Sequence, residues 1–269
     1  NTTRMCIGGG YDGTTQTGGQ TYQDVIQYIT TPSTGNTTDF GDLTAKRYAL
    51  SACADGLRGC WGDGQNADGY TRIIDYITIA STGNATDFGD LNHSTRAVAP
   101  ASGNGDATRG LAMGGRSSSP GPDTFVDYIT IGTAGNATDF GDTTTNAGKG
   151  YASGASNGTR ALCGGGDGTN GTVDVEYFTI ATTGNGTDLA DLTNARYGLA
   201  ACSNGSRAVF GGGYNNSNVI DYKNFETANA VDFGDLTDGR GYIGSGQNTP
   251  GGRGFWSGGS NSNVIDYVT

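Results

Sequence analysis

Lysine is nearly absent. Three residues, Lys46, Lys149 and Lys223, stand in a chain of 269 that carries 26 acids, 15 basic residues and a formal charge of −11. A surface that grips nucleic acid or an anionic bilayer needs clustered cations, so neither is expected as a partner. No apolar run approaches the roughly 20 residues that a membrane-spanning helix requires, so no membrane insertion is expected. The chain has one histidine, His93, and no Cys-x-x-Cys pair among Cys6, Cys53, Cys60, Cys163 and Cys202. That leaves no zinc motif and no oriented Ser–His–Asp constellation, and no catalytic residue, metal or cofactor is assigned. Cys53 and Cys60 lie near enough to meet across a hairpin, but small buried thiols are the expected role. Proline is scarce at 5 residues, and the 50 glycines show no every-third spacing, which excludes collagen. The chain begins at Asn1 without a methionine or a signal peptide, as expected of a processed chain or a piece of a longer one.

What is present is repetition. Thr38-Asp39-Phe40-Gly41-Asp42-Leu43 returns at Thr86–Leu91, Thr138–Asp142, Thr187–Leu192 and Val231–Leu236. The period is about 50 residues, long enough for one supersecondary unit. A tyrosine-bearing element recurs six times: Val25–Tyr28, Ile73–Tyr76, Phe125–Tyr128, Val175–Tyr177, Val219–Tyr222 and Val264–Tyr267. A glycine-ended element also recurs six times, from Arg4, Arg58, Arg109, Arg160, Arg207 and Arg253. A small-residue element occurs five times, near Tyr48–Cys53, Ala97–Ala99, Tyr151–Ala155, Tyr197–Cys202 and Tyr242–Ser245. Each reads as a short strand bounded by turn residues. We label them A (small), B (glycine-ended), C (tyrosine-bearing) and D (Asp-Phe-Gly-Asp). Asp55-Gly56, Asn157-Gly158 and Asn204-Gly205 between A and B predict type I′ hairpins.

Arg-Tyr near the start of strand A, Arg-Ala-Val-Phe-Gly-Gly-Gly in B, Val-Ile-Asp-Tyr in C and the aromatic in D resemble the kelch repeat, with Phe or Leu in D where kelch usually has Trp. The resemblance implies an all-β, six-bladed kelch-like β-propeller of four-stranded antiparallel blades. A five-bladed ring with a B–C extension is the alternative. One domain over 1–269 is expected, with repeats near 1–43, 44–91, 92–143, 144–192, 193–236 and 237–269. The Ile-Asp-Tyr-Ile-Thr-Ile-Ala and Thr-Gly-Asn-Ala-Thr-Asp-Phe-Gly-Asp-Leu wording also resembles Gly-rich repeat proteins of marine phages and other aquatic viruses. That implies a virion appendage or tail fibre.

Alternating strand direction puts the A–B and C–D loops at one end and the B–C and D–A loops at the other. The C–D loops are near copies, whereas the B–C loops differ widely, so the B–C end is expected to meet a ligand, against neutral drift of exposed loops as the alternative. The expected function is a non-enzymatic, adhesin-like recognition of host-surface glycans, with Tyr11, Tyr22, Arg116 and Tyr214 as contact residues, at a virion surface or elsewhere outside the cell. A structural fibre or coat block contacting other virion proteins, as a homo-oligomer or one module of a longer fibre, is the second reading, and a secreted carbohydrate-active enzyme the third. Asn36, Asn84, Asn136, Asn157, Asn185 and Asn204 are glycosylation sequons weighed against plain turn residues. The pairs Asp39/Asp42, Asp87/Asp90, Asp139/Asp142, Asp188/Asp191 and Asp232/Asp235 are expected to cap turns and to pair with Arg47, Arg96, Arg196 and Arg240, in preference to binding Ca²⁺.

Overall fold

The computed structural model describes all residues except 1–2, 12–21, 97–98, 103–107, 118–120, 145–147, 167–169, 227–228, 248–251 and 261. Every described element is a strand. The first sheet holds β1 (Arg4–Tyr11), β2 (Tyr22–Thr30) and β3 (Thr38–Asp42). The second holds β4 (Ser51–Ala54), β5 (Arg58–Gly62), the short β6 (Gln65–Asn66), β7 (Gly69–Thr78) and β8 (Thr86–Thr95). The third runs through β9 (Ala99–Ser102), β10 (Arg109–Met113), β11 (Phe125–Thr130) and β12 (Thr138–Asp142). The fourth runs through β13 (Ser153–Ser156), β14 (Arg160–Gly164), β15 (Thr172–Thr179) and β16 (Thr187–Arg196). The fifth contains β17 (Ala200–Ser203), β18 (Arg207–Gly211), β19 (Val219–Asn224) and β20 (Val231–Asp235). The sixth has β21 (Gly244–Gln247), β22 (Gly254–Ser257) and β23 (Ile265–Val268).

All neighbours pair antiparallel; the second to fifth sheets carry the A, B, C and D elements on neighbouring strands, the first carries B, C and D, and the sixth A, B and C. Two expectations are overturned. The six sheets are separate and open, with three to five strands, and none is closed or curled into a propeller. The six-bladed kelch-like β-propeller of uniform four-stranded blades is therefore corrected to an all-β fold of six small antiparallel sheets. The hairpin turns also differ. Gly56, Gly158 and Gly205 have positive φ (90°, 87° and 85°), but Asp55, Asn157 and Asn204 do not. A type I′ turn needs positive φ at both central residues. Here the Asx residue sits one place earlier, and its side-chain oxygen accepts from the backbone N–H groups two and three residues on, as at Asn157 with Thr159 (2.9 Å) and Arg160 (2.8 Å).

Apolar side chains of neighbouring sheets form the core between them. Val126, Phe140, Cys163 and Phe178 share one cluster, and Leu162, Val175, Phe210 and Phe225 another. Met5, Ile29 and Phe255 join the first and last sheets. Two recurring contacts suture neighbours. The B-strand arginine donates to a carbonyl just past the next C strand: Arg4 to Ile79, Arg58 to Ile131, Arg109 to Ile180 and Arg160 to Phe225, at 2.9–3.2 Å. The loop before the next D strand then closes on the previous one. Asn84, Asn136 and Asn185 accept from the N–H of Asp42, Asp90 and Asp142 at 3.0–3.1 Å. Gly89 and Gly141 lie so close to the backbones of Gly135 and Gly184 that a Cβ would sit 2.6 Å away.

Under strand A lies a buried cation. Arg47 pairs with Asp75 (2.6 Å), Arg196 with Asp221 (2.5 Å) and Arg240 with Asp266 (2.8 Å). These arginines therefore bind the C-strand Asp, not the Asp-Phe-Gly-Asp pairs expected from sequence. In that low-dielectric position only a close opposite charge compensates the lost hydration. The fourth sheet substitutes Lys149 and Glu176, and burial raises the Glu176 pKa above its usual value.

Candidate functional site

The residues just before strand A repeat as Arg47-Tyr48-Ala49, Lys149-Gly150-Tyr151, Arg196-Tyr197-Gly198 and Arg240-Gly241-Tyr242. The third position is left-handed in all four, with φ of 56°, 58°, 67° and 58°. Glycine suits that conformation. A bulky residue there costs about 1–2 kcal/mol. Tyr151 and Tyr242 nonetheless occupy it, which aims two more rings at the B–C end of the sheets.

There the tyrosines converge. Tyr11, Tyr22 and Tyr48 form one group, with Tyr22 and Tyr48 stacked at 5.5 Å and 9°. Tyr151, Tyr197, Tyr214 and Tyr242 form a second, with Tyr197 and Tyr214 stacked at 4.6 Å. Arg96 joins them. Its guanidinium lies over Tyr48, Tyr70 and Tyr151 at 5.2–5.9 Å and donates to the Tyr48 hydroxyl and Gln65 Oε1, both at 2.6 Å. Arg116 sits over Tyr151 at 5.8 Å. The four sequence-derived contact residues, Tyr11, Tyr22, Arg116 and Tyr214, thus lie on one array. Much of the loops that drew attention to them, residues 12–21 and 118–120, falls outside the described residues.

Tyr11, Tyr214 and Tyr242 are 41–53% exposed, whereas Tyr197 is 7% exposed beneath them. Burial raises the pKa of Tyr48, Tyr197 and Tyr242, so these phenols stay protonated at neutral pH and keep their O–H donors. Sequence reasoning passed over Tyr48, Tyr70, Tyr151, Tyr197, Tyr242 and Arg96. The signal for four of them was the tyrosine before each A strand, which had been read only as the start of a strand.

Arg96 can reach this array because the third sheet breaks the ion-pair pattern. Its C-strand acid, Asp127, accepts from Asn92 N (3.1 Å) and Nδ2 (2.7 Å), as Asp75 accepts from Thr44, but pairs with no arginine among the described residues. His93 Nδ1 lies 3.8 Å from the same carboxylate, and its ring stacks on Phe125 at 3.7 Å. All five cysteines are free thiols, with Cys53 opposite Cys60 on the β4–β5 hairpin. Among the described residues, no group of three or more His, Cys, Asp or Glu is placed to hold a metal. The sequons Asn84, Asn136, Asn157, Asn185 and Asn204 are engaged through Oδ1 in the sutures and turns above.

No family model and no curated protein matches the chain. The resemblance to kelch repeats and to repeat proteins of marine phages therefore finds no support, and with it falls the virion or tail-fibre assignment.

Proposed function

We propose that this protein is a non-catalytic recognition module, acting outside the cell, that binds a glycan on its tyrosine-bearing end. The observation that carries this reading is the use of left-handed backbone at Tyr151 and Tyr242 to present rings where neighbouring repeats place Ala49 and Gly198. Strain of this kind persists where the surrounding structure enforces it, and it gathers at binding sites. Aromatic faces stack against the C–H faces of sugar rings, while the phenol and guanidinium groups hydrogen-bond to hydroxyls or carboxylates.

The test is a titration of the purified protein with a panel of neutral and acidic oligosaccharides, followed by tyrosine fluorescence and calorimetry. Saturable binding that Tyr214→Ala weakens supports the reading. Binding by none of the panel, or binding indifferent to Tyr214 and Tyr242, removes it. Turnover of a bound saccharide would replace it with an enzymatic one.

A further inference from the structure

We infer that the tyrosine-bearing end selects an acidic saccharide, whose carboxylate or sulfate is held between Arg96 and Arg116 beside the ring of Tyr151. The inference rests on the reading of that end as a saccharide site and adds the charge of the ligand. Both guanidiniums lie 5.8 Å from the centre of the same ring. Their backbones are locked together, each N–H donating to the other's carbonyl at 2.9–3.0 Å. Like charges on directly paired residues repel unless an opposite charge joins them. The ion pairs among the described residues include neither arginine. Asp123, in the same B–C loop as Arg116, accepts from Ser117 instead (3.0 Å).

Both cations depend on a change at one position of the repeat. Hydrogen bonds set the register there: Gly10, Gly64, Gly115 and Gly166 donate to the carbonyls of Arg47, Thr95, Lys149 and Arg196 at 2.9–3.0 Å. The residue that follows is Tyr48, Arg96, Gly150 and Tyr197 in turn. The third repeat therefore has Thr95 in the buried cation position and carries its arginine one place on, among the rings. The fourth repeat gives up the ring altogether. Its backbone does not call for glycine, since Gly150 is not among the positive-φ residues. Space does: a Cβ on Gly150 would lie 2.7 Å from Cγ and 3.2 Å from Cδ of Arg116. One repeat exchanges a tyrosine for a cation, and the next leaves the same position empty, which admits the second cation.

The donors left over suit an oxyanion. Nη1 of Arg96 is taken by Tyr48 and Gln65, whereas Nε is buried without a partner and Nη2 makes no hydrogen bond among the described contacts. The Arg116 guanidinium makes none among them either, and meets only the Tyr151 ring. Guanidinium donors form their strongest hydrogen bonds with ionised oxygens. The chain as a whole, at a formal −11, repels anions, so an anionic ligand that binds does so through a local cationic contact. A sugar acid meets both parts of this site. Its ring face lies on a tyrosine, and the anionic group at its rim reaches the two guanidiniums.

The experiment is a calorimetric titration of the 269-residue protein with three oligomers of equal length: an oligogalacturonate, a neutral oligogalactan and that galactan O-sulfated. At least one charged oligomer should bind about 10-fold or more tightly than the neutral one, and the preference should shrink as salt is raised. The tighter of the two charged oligomers identifies the anion as carboxylate or sulfate. Arg116→Gln and Arg96→Gln, each checked by its urea midpoint, should lower that preference about 10-fold. Equal affinity for charged and neutral oligomers, still weakened by Tyr214→Ala, overturns the inference and leaves the saccharide site standing. A charge preference that survives both arginine replacements also overturns it. Binding by none of the three removes the inference and the saccharide site together.

Discussion

Replacing Tyr242 by glycine should separate binding from stability. Its φ of 58° costs an L-residue about 1–2 kcal/mol, which glycine does not incur. Against that, glycine brings a more flexible unfolded chain, worth about 0.5–1 kcal/mol. The lost ring touches Tyr151, Tyr197 and Tyr214 at centroid distances of 5.5–6.3 Å, but it is 53% exposed, so these contacts are worth about 1 kcal/mol together. The three contributions leave the folded state within about 1 kcal/mol of the parent. Gly198 already fills the same position in the preceding sheet, so the backbone accepts the change. By contrast, Tyr197→Ala removes a ring that is 7% exposed and should cost about 3 kcal/mol. Urea unfolding of both variants, beside saccharide titration of Tyr242→Gly, makes the comparison. A loss above about 2 kcal/mol for Tyr242→Gly would show the ring to be core and refute the strain argument.

Three other perturbations probe the frame. Burial raises the folded pKa of Glu176 above its usual 4.5, so the folded state holds the proton more tightly. Stability should therefore fall as pH rises from 4.5 through the raised folded value and then level off, and Glu176→Gln should abolish that slope in urea midpoints taken from pH 4 to 8. Asp221→Ala strands the Arg196 guanidinium, whose pKa burial already lowers, and should cost about 3–5 kcal/mol by thermal or urea unfolding, little changed by salt. Gly89→Ala and Gly234→Ala share a left-handed φ (143° and 139°), but only the first drives a methyl into a neighbouring backbone. Gly89→Ala should thus be the more destabilising by about 1–3 kcal/mol, and equal losses would deny the suture between sheets.

The strands were legible because each repeat carries its own punctuation. The Val-Ile-Asp-Tyr run, the paired glycines after B and the Asx-Gly turns each mark a boundary through local sterics alone. The arrangement of the sheets was not legible, because short-range patterns fix pairing within a repeat and leave the packing between repeats open. Nor were the partners of Arg47, Arg196 and Arg240. Asp39 and Asp42 lie nearer in sequence, but Asp75 is brought to Arg47 only when strand C crosses the sheet. The candidate site was half legible. Tyr11, Tyr22, Arg116 and Tyr214 stood out in variable loops, whereas Tyr151 and Tyr242 looked like strand starts until their φ values were known.

The buried ion pairs carry a consequence for how such a chain can change. Arg47 and Asp75 belong to one sheet, as do Arg196 and Asp221, and Arg240 and Asp266. The first sheet places Gln27 where the others have an acid. These three repeats are thus electrically self-contained. Duplicating or excising one moves cation and acid together, so repeat number can drift without stranding an interior charge. The asparagine sutures behave oppositely, since each joins two repeats and lapses wherever a neighbour is lost.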